Sequence, residues 1–320
     1  MTNPSVLLMH RAPPENAGGP DALAQAITQK LPDVTLRLAS DYSETLSKIS
    51  DVEIVVEHQI DDAHLEAAEE LRWIQSLSSG YDRFDLDRLE EDDIVLTTAS
   101  GVHGEPIAQH VLGYILTFER GLHRAHRQQA QHMWRRFAPS ELTDKTVTIV
   151  GVGEIGSTIA ERLAAFDVRI IGVKRNLESV TSAVDDVLPP ADLHGALGQA
   201  EYVVVACPLT PQTRQMFGPA EFDSMSTDTV FINIARGEIV DQQALITALH
   251  TGELGGAALD VAVDEPLPPE SPLWDFDDVL ITPHMAGGSP QYARRCAEIF
   301  RQNYERYVND DLDGMKNRIV

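Results

Sequence analysis

Residues 146–156 read Thr-Val-Thr-Ile-Val-Gly-Val-Gly-Glu-Ile-Gly. Thr146 to Val150 is β-branched throughout and has the length of a buried strand. Gly151, Gly153 and Gly156 then give G-x-G-x-x-G directly at its end. From Ser157 to Ala165 the apolar positions fall at helical spacing: Ile159, Leu163, and alanines at 160, 164 and 165. The stretch therefore reads strand, glycine turn, helix. Gly151 permits a tight turn, Gly153 lets a pyrophosphate approach the backbone, and Gly156 lets helix and strand pack closely. The helix N-terminus offers free amides and a favourable dipole to an anion. Glycines punctuate many turns, and it is the flanking strand and helix that make this one a dinucleotide site.

The rest of the chain is read outward from that turn. A length of 320 residues suggests two domains, and a hydrophobic content of 43% is enough for two cores. No run reaches the roughly 18 apolar residues of a membrane span. The N-terminus lacks a basic segment followed by an apolar stretch, so a soluble, cytoplasmic protein is expected. Cys207 and Cys296 form no CxxC pair. Charge is the unusual feature: 50 Asp and Glu stand against 25 Lys and Arg, a net of −25. Lysine occurs only at 30, 48, 145, 174 and 316. An ordinary acidic protein fits this balance, as does one adapted to molar salt, where a Debye length of about 3 Å screens acidic self-repulsion. The scarcity of lysine favours a halophilic protein. Without a basic stripe, nucleic acid is not an expected partner.

Strands are expected at Ser5 to Met9, Val34 to Leu38, Ile54 to Glu57, Trp73 to Leu77 and Val95 to Thr98, with helices at Asp21 to Lys30, Tyr42 to Ile49 and Ala63 to Glu70 between them. A strongly apolar helix at Ile107 to Arg120 and a polar one at Leu122 to Arg136 follow. Further strands are expected at Val168 to Val173, Tyr202 to Ala206, Val230 to Asn233, Ala257 to Val261 and Val279 to Thr282. Helices are expected at Pro219 to Met225, Asp241 to Thr251 and Ser289 to Val308. Such alternation argues an α/β fold of doubly wound parallel sheets. The fingerprint lies mid-chain, so a Rossmann domain of residues 101–286 is expected to be inserted into a flavodoxin-like domain of residues 1–100 and 287–320.

Three stretches beyond predicted strands carry chemistry. In Asn233-Ile234-Ala235-Arg236-Gly237-Glu238, an arginine follows a strand, and its fork suits a carboxylate. In Asp260-Val261-Ala262-Val263-Asp264-Glu265-Pro266, a carboxylate precedes a proline that stiffens the loop. In Ile281-Thr282-Pro283-His284-Met285-Ala286-Gly287, a histidine follows proline. Singly, each has an unremarkable reading as a surface ion pair, a solvated acid or a core histidine. Together with the cofactor turn they supply an anion clamp, a proton donor and a carboxylate to orient it, which is what hydride transfer to a carbonyl needs.

Together, these stretches, Ser79-Gly80-Tyr81-Asp82 and Cys207-Pro208-Leu209-Thr210 resemble the D-isomer-specific 2-hydroxyacid dehydrogenase family over nearly the whole chain. The resemblance implies reversible reduction of small 2-oxo acids to D-2-hydroxy acids, with Arg236, Glu265 and His284 catalytic. It implies a substrate carboxylate held by Ser79, Gly80, Tyr81 and Arg236. It implies a cofactor bordered by Gly151, Gly153, Glu154, Ile155, Gly156, Cys207, Pro208, Thr213, Ile234, Ala235, His284 and Gly287, with Asp260 on the nicotinamide carboxamide. It also implies a homodimer joined through the cofactor domain, to which the apolar helix and Trp134 would contribute. A nicotinamide-sensing, corepressor-like binding protein of the same fold is the alternative. The position where NAD-selective relatives carry an acid falls on Lys174, followed by Arg175 and Asn176. Two cations suit a 2′-phosphate, so NADPH is expected to be preferred and NADH usable. Gln109 stands where the family often has Glu, His103 where it often has Asn, and Gly287 where some members have Trp.

Overall fold

A computed structural model describes residues 3–10, 19–81, 83–177 and 181–320; Asp82 of the Ser79 turn lies outside them. The chain divides into two compact units, one made of residues up to His103 together with Gly288–Val320, the other of Gly104–Gly287.

The first unit carries a parallel sheet of β1 (Ser5–Leu8), β2 (Thr35–Leu38), β3 (Ile54–Glu57), β4 (Trp73–Ser76) and β5 (Val95–Thr97), in the order β2-β1-β3-β4-β5. Its helices are α1 (Gly19–Lys30), α2 (Tyr42–Lys48), α3 (Asp62–Ala67) and α4 (Leu86–Glu91). Strand periodicity divides the core between two faces: Val6 and Leu8 pack on one side of β1, Leu7 and Met9 on the other. A sheet buried on both faces needs apolar residues at nearly every position, which is why these strands read as continuous runs.

The second unit contains α5 (Gly104–Glu119), α6 (Leu122–Ala130), α7 (Glu154–Leu163), α8 (Leu193–Leu197), α9 (Pro219–Asp223) and α10 (Gln242–Thr251). Its strands are β6 (Thr146–Val150), β7 (Arg169–Val173), β8 (Asp186–Leu188), β9 (Tyr202–Val205), β10 (Val230–Asn233), β11 (Gly256–Leu259) and β12 (Val279–Ile281). They form one parallel sheet in the order β12-β11-β10-β9-β6-β7-β8. The apolar α5 is buried within its own unit through Ile107, Ala108, Val111, Tyr114 and Ile115, which join the core beneath β6.

The chain returns to the first unit in α11 (Tyr292–Tyr307). There Trp73 stacks on Phe300 at 5.3 Å, and Asn303 Nδ2 donates to Gln75 Oε1 on β4 at 3.1 Å. After α11, residues 317–319 run beside β5, with a Leu96–Ile319 backbone bond and an antiparallel Thr97–Arg318 bridge.

Three readings of local structure need correction. The helix expected to reach Arg136 stops at Ala130, because His132 turns left-handed (φ 55°) and the Met133 amide bonds back to Gln128 at 2.8 Å. That is a C-terminal stop without glycine. The helix expected to reach Glu70 ends at Ala67, where Ala68 takes ψ 86°. The short α4, β8 and α8 were not anticipated.

Candidate active site

The glycine turn has the geometry its sequence demands. Gly151 takes φ 104°, and a Cβ there would lie 2.4 Å from the Cys207 amide nitrogen. At Gly156 a Cβ would lie 2.2 Å from the Gly151 carbonyl oxygen, so helix and strand close directly on one another. Gly153, which caps α7, has nothing within 4 Å of where its Cβ would stand. That open approach to the amides at the start of α7 fits a dinucleotide pyrophosphate. Lys174, Arg175 and Asn176 follow β7 directly, and Arg175 and Asn176 are exposed. Cys207 is buried, which pushes its thiol up to about 11 and leaves it protonated near neutral pH. The Thr213 hydroxyl donates to the Pro208 carbonyl at 2.7 Å and so closes the loop after β9.

Beyond β10, β11 and β12 lie the three stretches with candidate chemistry. Asn233 is buried at the end of β10; its amide donates to the Arg236 carbonyl at 2.9 Å, and its oxygen accepts from Ala235 at 3.0 Å. This ties the loop that carries Arg236. A Cβ on Gly237 would lie 2.0 Å from the Ala262 carbonyl carbon, so the arginine loop rests on the backbone leading to Glu265. Glu265 Oε1 accepts from the Ala262 amide at 3.2 Å, while Oε2 accepts from His284 Nδ1 at 2.7 Å. His284 and Glu265 keep 46% and 39% of their side chains exposed, so the pair is screened by water yet open to a ligand. With Nδ1 used, Nε2 is the ring nitrogen left for chemistry.

Residues 112–286, more than half of the chain, match the family described as D-isomer specific 2-hydroxyacid dehydrogenase, NAD binding domain. The chain belongs to that family. It is an NAD(P)-dependent oxidoreductase acting on a CH–OH group. The dehydrogenase is 33% identical over 256 residues to a glyoxylate reductase of Thermofilum pendens, covering 77% of this chain and 74% of the relative. A D-isomer specific 2-hydroxyacid dehydrogenase family protein from Aeromonas salmonicida superposes with a TM-score of 0.85 at 29% identity, covering 99% of each chain. The NADPH-dependent glyoxylate/hydroxypyruvate reductase of Sinorhizobium meliloti, solved with NADP and sulfate, also gives 0.85, at 27% identity and 98% coverage of each chain.

The remaining candidates, Ser79, Gly80 and Tyr81, belong to the dehydrogenase's first unit, in the turn after β4. The Ser78 amide donates to Ser76 Oγ at 3.1 Å, and the Ser78 carbonyl accepts from Ala99 at 2.9 Å. His58, just beyond β3, lies with Nδ1 3.2 Å from Ser78 Oγ and stacks on Tyr292. Burial, then the nearby His103 and Arg83, lower its pKa to about 4, so it is neutral. The sequence reading missed His58 as well as the role of Asn233. A polar residue at a strand's carboxyl end was the available signal for each. Among the described residues no cluster of three His, Cys, Asp or Glu could hold a metal, and no helix is long and apolar enough to cross a membrane.

Proposed function

We propose that this dehydrogenase reduces small 2-oxo acids to D-2-hydroxy acids, with glyoxylate and hydroxypyruvate as first candidates and NADPH preferred over NADH. The observation that carries the reading is the 2.7 Å pair of His284 Nδ1 and Glu265 Oε2, borne by loops packed against the one that carries Arg236. When bound, the nicotinamide supplies or accepts the hydride. Arg236 pairs with the substrate carboxylate, and the Ser79 and Gly80 amides with Tyr81 are assigned as further carboxylate contacts. His284 Nε2 donates a proton to the substrate oxygen in reduction and takes it back in oxidation, while Glu265 stabilises the charged ring. Asp260 has about four acceptor positions and three are used within the chain, which leaves one for the carboxamide. Glu154 and Ile155 at the glycine turn, with Cys207, Pro208, Thr213, Ile234, Ala235 and Gly287, complete the proposed cofactor contacts. The NADPH preference rests on Lys174 and Arg175 standing together at the end of β7. The same reading includes a homodimer, to which Trp134, 97% exposed, would contribute, and a protein suited to high salt.

The test is a panel of 2-oxo acids in concentrated potassium chloride with either reduced cofactor. His284→Ala and Arg236→Ala should each lower kcat/KM by on the order of a hundredfold to ten-thousandfold with NADPH binding retained. Lys174→Asp with Arg175→Ala should reverse the cofactor preference. Wild-type rates in either single variant would remove the catalytic assignment, and a wild type that prefers NADH would remove the cofactor assignment. NADPH binding without turnover of any acid would return the protein to a sensing role.

A further inference from the structure

A part-buried polar network stands behind His284, built by Asp260 and by residues to which the proposed function gives no role. The amides of three successive residues converge on Asp260: His284 on its carbonyl at 2.8 Å, Met285 on Oδ1 at 2.9 Å and Ala286 on Oδ2 at 2.8 Å. His284 takes a left-handed backbone (φ 48°), and the two N–H groups that follow it, those of Met285 and Ala286, turn toward the one carboxylate. A non-glycine residue is uncommon in that conformation, so the turn has to be held there by its surroundings. Asp260 is only 3% exposed, so its position has to be fixed in turn.

Thr282 does the fixing. Its Oγ1 lies 2.5 Å from Asp260 Oδ1, 2.5 Å from the Tyr114 hydroxyl and 3.0 Å from His110 Nε2. A threonine hydroxyl has one proton to give and two lone pairs to fill. Because a carboxylate only accepts, the Thr282 proton goes to Asp260. Both remaining partners must then donate, which places a proton on His110 Nε2 and on Tyr114. Burial raises the pKa of Tyr114 and keeps its proton in place; at His110 burial lowers the pKa against the opposing pull of Asp260, and the contact with Thr282 selects the Nε2 tautomer of the neutral ring. The two donors are four residues apart on α5 and present one face, ring against ring at 4.5 Å.

We infer that Tyr114 and His110 are positioning residues for the acid/base histidine, acting through Thr282 and Asp260 on the backbone turn that aims its ring at Glu265. The inference rests on His284 being the proton donor. Loosening the turn should misdirect Nε2 and spoil proton transfer, while substrate and cofactor still bind.

Steady-state kinetics, NADPH fluorescence titration and thermal melts on the full-length dehydrogenase test it. Thr282→Val should lower kcat by on the order of tenfold to a hundredfold. The substrate KM, the NADPH affinity and the melting temperature should stay close to wild type. Thr282→Ser, which keeps the hydroxyl, should restore kcat to within about twofold, and Tyr114→Phe, which removes one donor without changing shape, should lower it about threefold. If Thr282→Val disrupts folding, Tyr114→Phe and His110→Gln carry the test alone. Wild-type kcat in Tyr114→Phe and His110→Gln, or a fall in kcat matched by equal losses of NADPH binding and melting temperature, overturns the inference while an inactive His284→Ala keeps the reading. A His284→Ala variant with wild-type kcat overturns the reading itself.

Discussion

Both sheets reverse their strand order beside their first strand, β1 lying between β2 and β3, and β6 between β9 and β7. Open α/β sheets place ligands outside the carboxyl ends at such a switch point. The two points are nevertheless furnished differently. Beyond β6 there is a positive-φ glycine, an open Gly153 and the amides of a ten-residue helix. Beyond β3 there is a neutral imidazole, His58, leaning on a serine hydroxyl. The first set suits a phosphate that must come close to backbone; the second is built from neutral side chains. Topology selects the place and side chains select the ligand, which is why fold alone does not name a function.

The contrast can be broken most severely at the glycine turn. Gly156→Ala drives a methyl into the Gly151 carbonyl and should cost about 3 kcal/mol or more, read as loss of folded protein or a large fall in melting temperature. Gly153→Ala meets nothing and should change stability by less than about 0.5 kcal/mol, while NADPH affinity falls about tenfold because the methyl occupies the approach to the amides. Equal effects from the two substitutions would refute the distinction between a packing glycine and a cradle glycine.

His58 sharpens the comparison from the other side. Its folded pKa of about 4 lies below the unfolded value near 6.5, so the unfolded chain binds the extra proton between those limits. Stability from this group is complete above pH 6.5 and is lost as pH falls toward 4, by about 3 kcal/mol. Denaturant titrations across that window should show a shallower pH slope for His58→Gln than for wild type. Identical slopes would mean that the ring is not held neutral by its surroundings.

The smallest contrast is between pH and salt. Acidic residues are spread through both units, so potassium chloride raised from dilute buffer to molar levels should raise the melting temperature of the whole chain by several degrees rather than of one unit. A flat or falling melting temperature would contradict halophilic adaptation. Light scattering in the same samples should return a dimer; a monomer at working salt would contradict the shared interface.

Legibility in the sequence followed the range of the interactions. The strand, glycine turn and helix at Thr146 to Leu163 were readable because every constraint is local. Arg236, Glu265 and His284 could be picked out as candidates because each follows a strand. The convergence on Asp260 was not readable, since its donors come from Thr282, Met285 and Ala286, more than twenty residues away. Tyr114 and His110 were hidden inside a helix whose apolarity suggested burial and a subunit interface. The end of α6 was misplaced because His132, a non-glycine residue, adopts the left-handed turn there, and such a stop has no distinctive residue type.

The first unit is written in two instalments, with the whole second unit between them. Trp73, Gln75 and β5 face partners in α11 and in residues 316–320, which are made after the whole second unit. While the chain is being made, the sheet that emerges first must therefore wait, its face toward α11 bare, whereas the unit encoded second already has every residue it needs. The order of synthesis and the order of completion are reversed, and in the interval between them the apolar face of the first sheet lacks its cover.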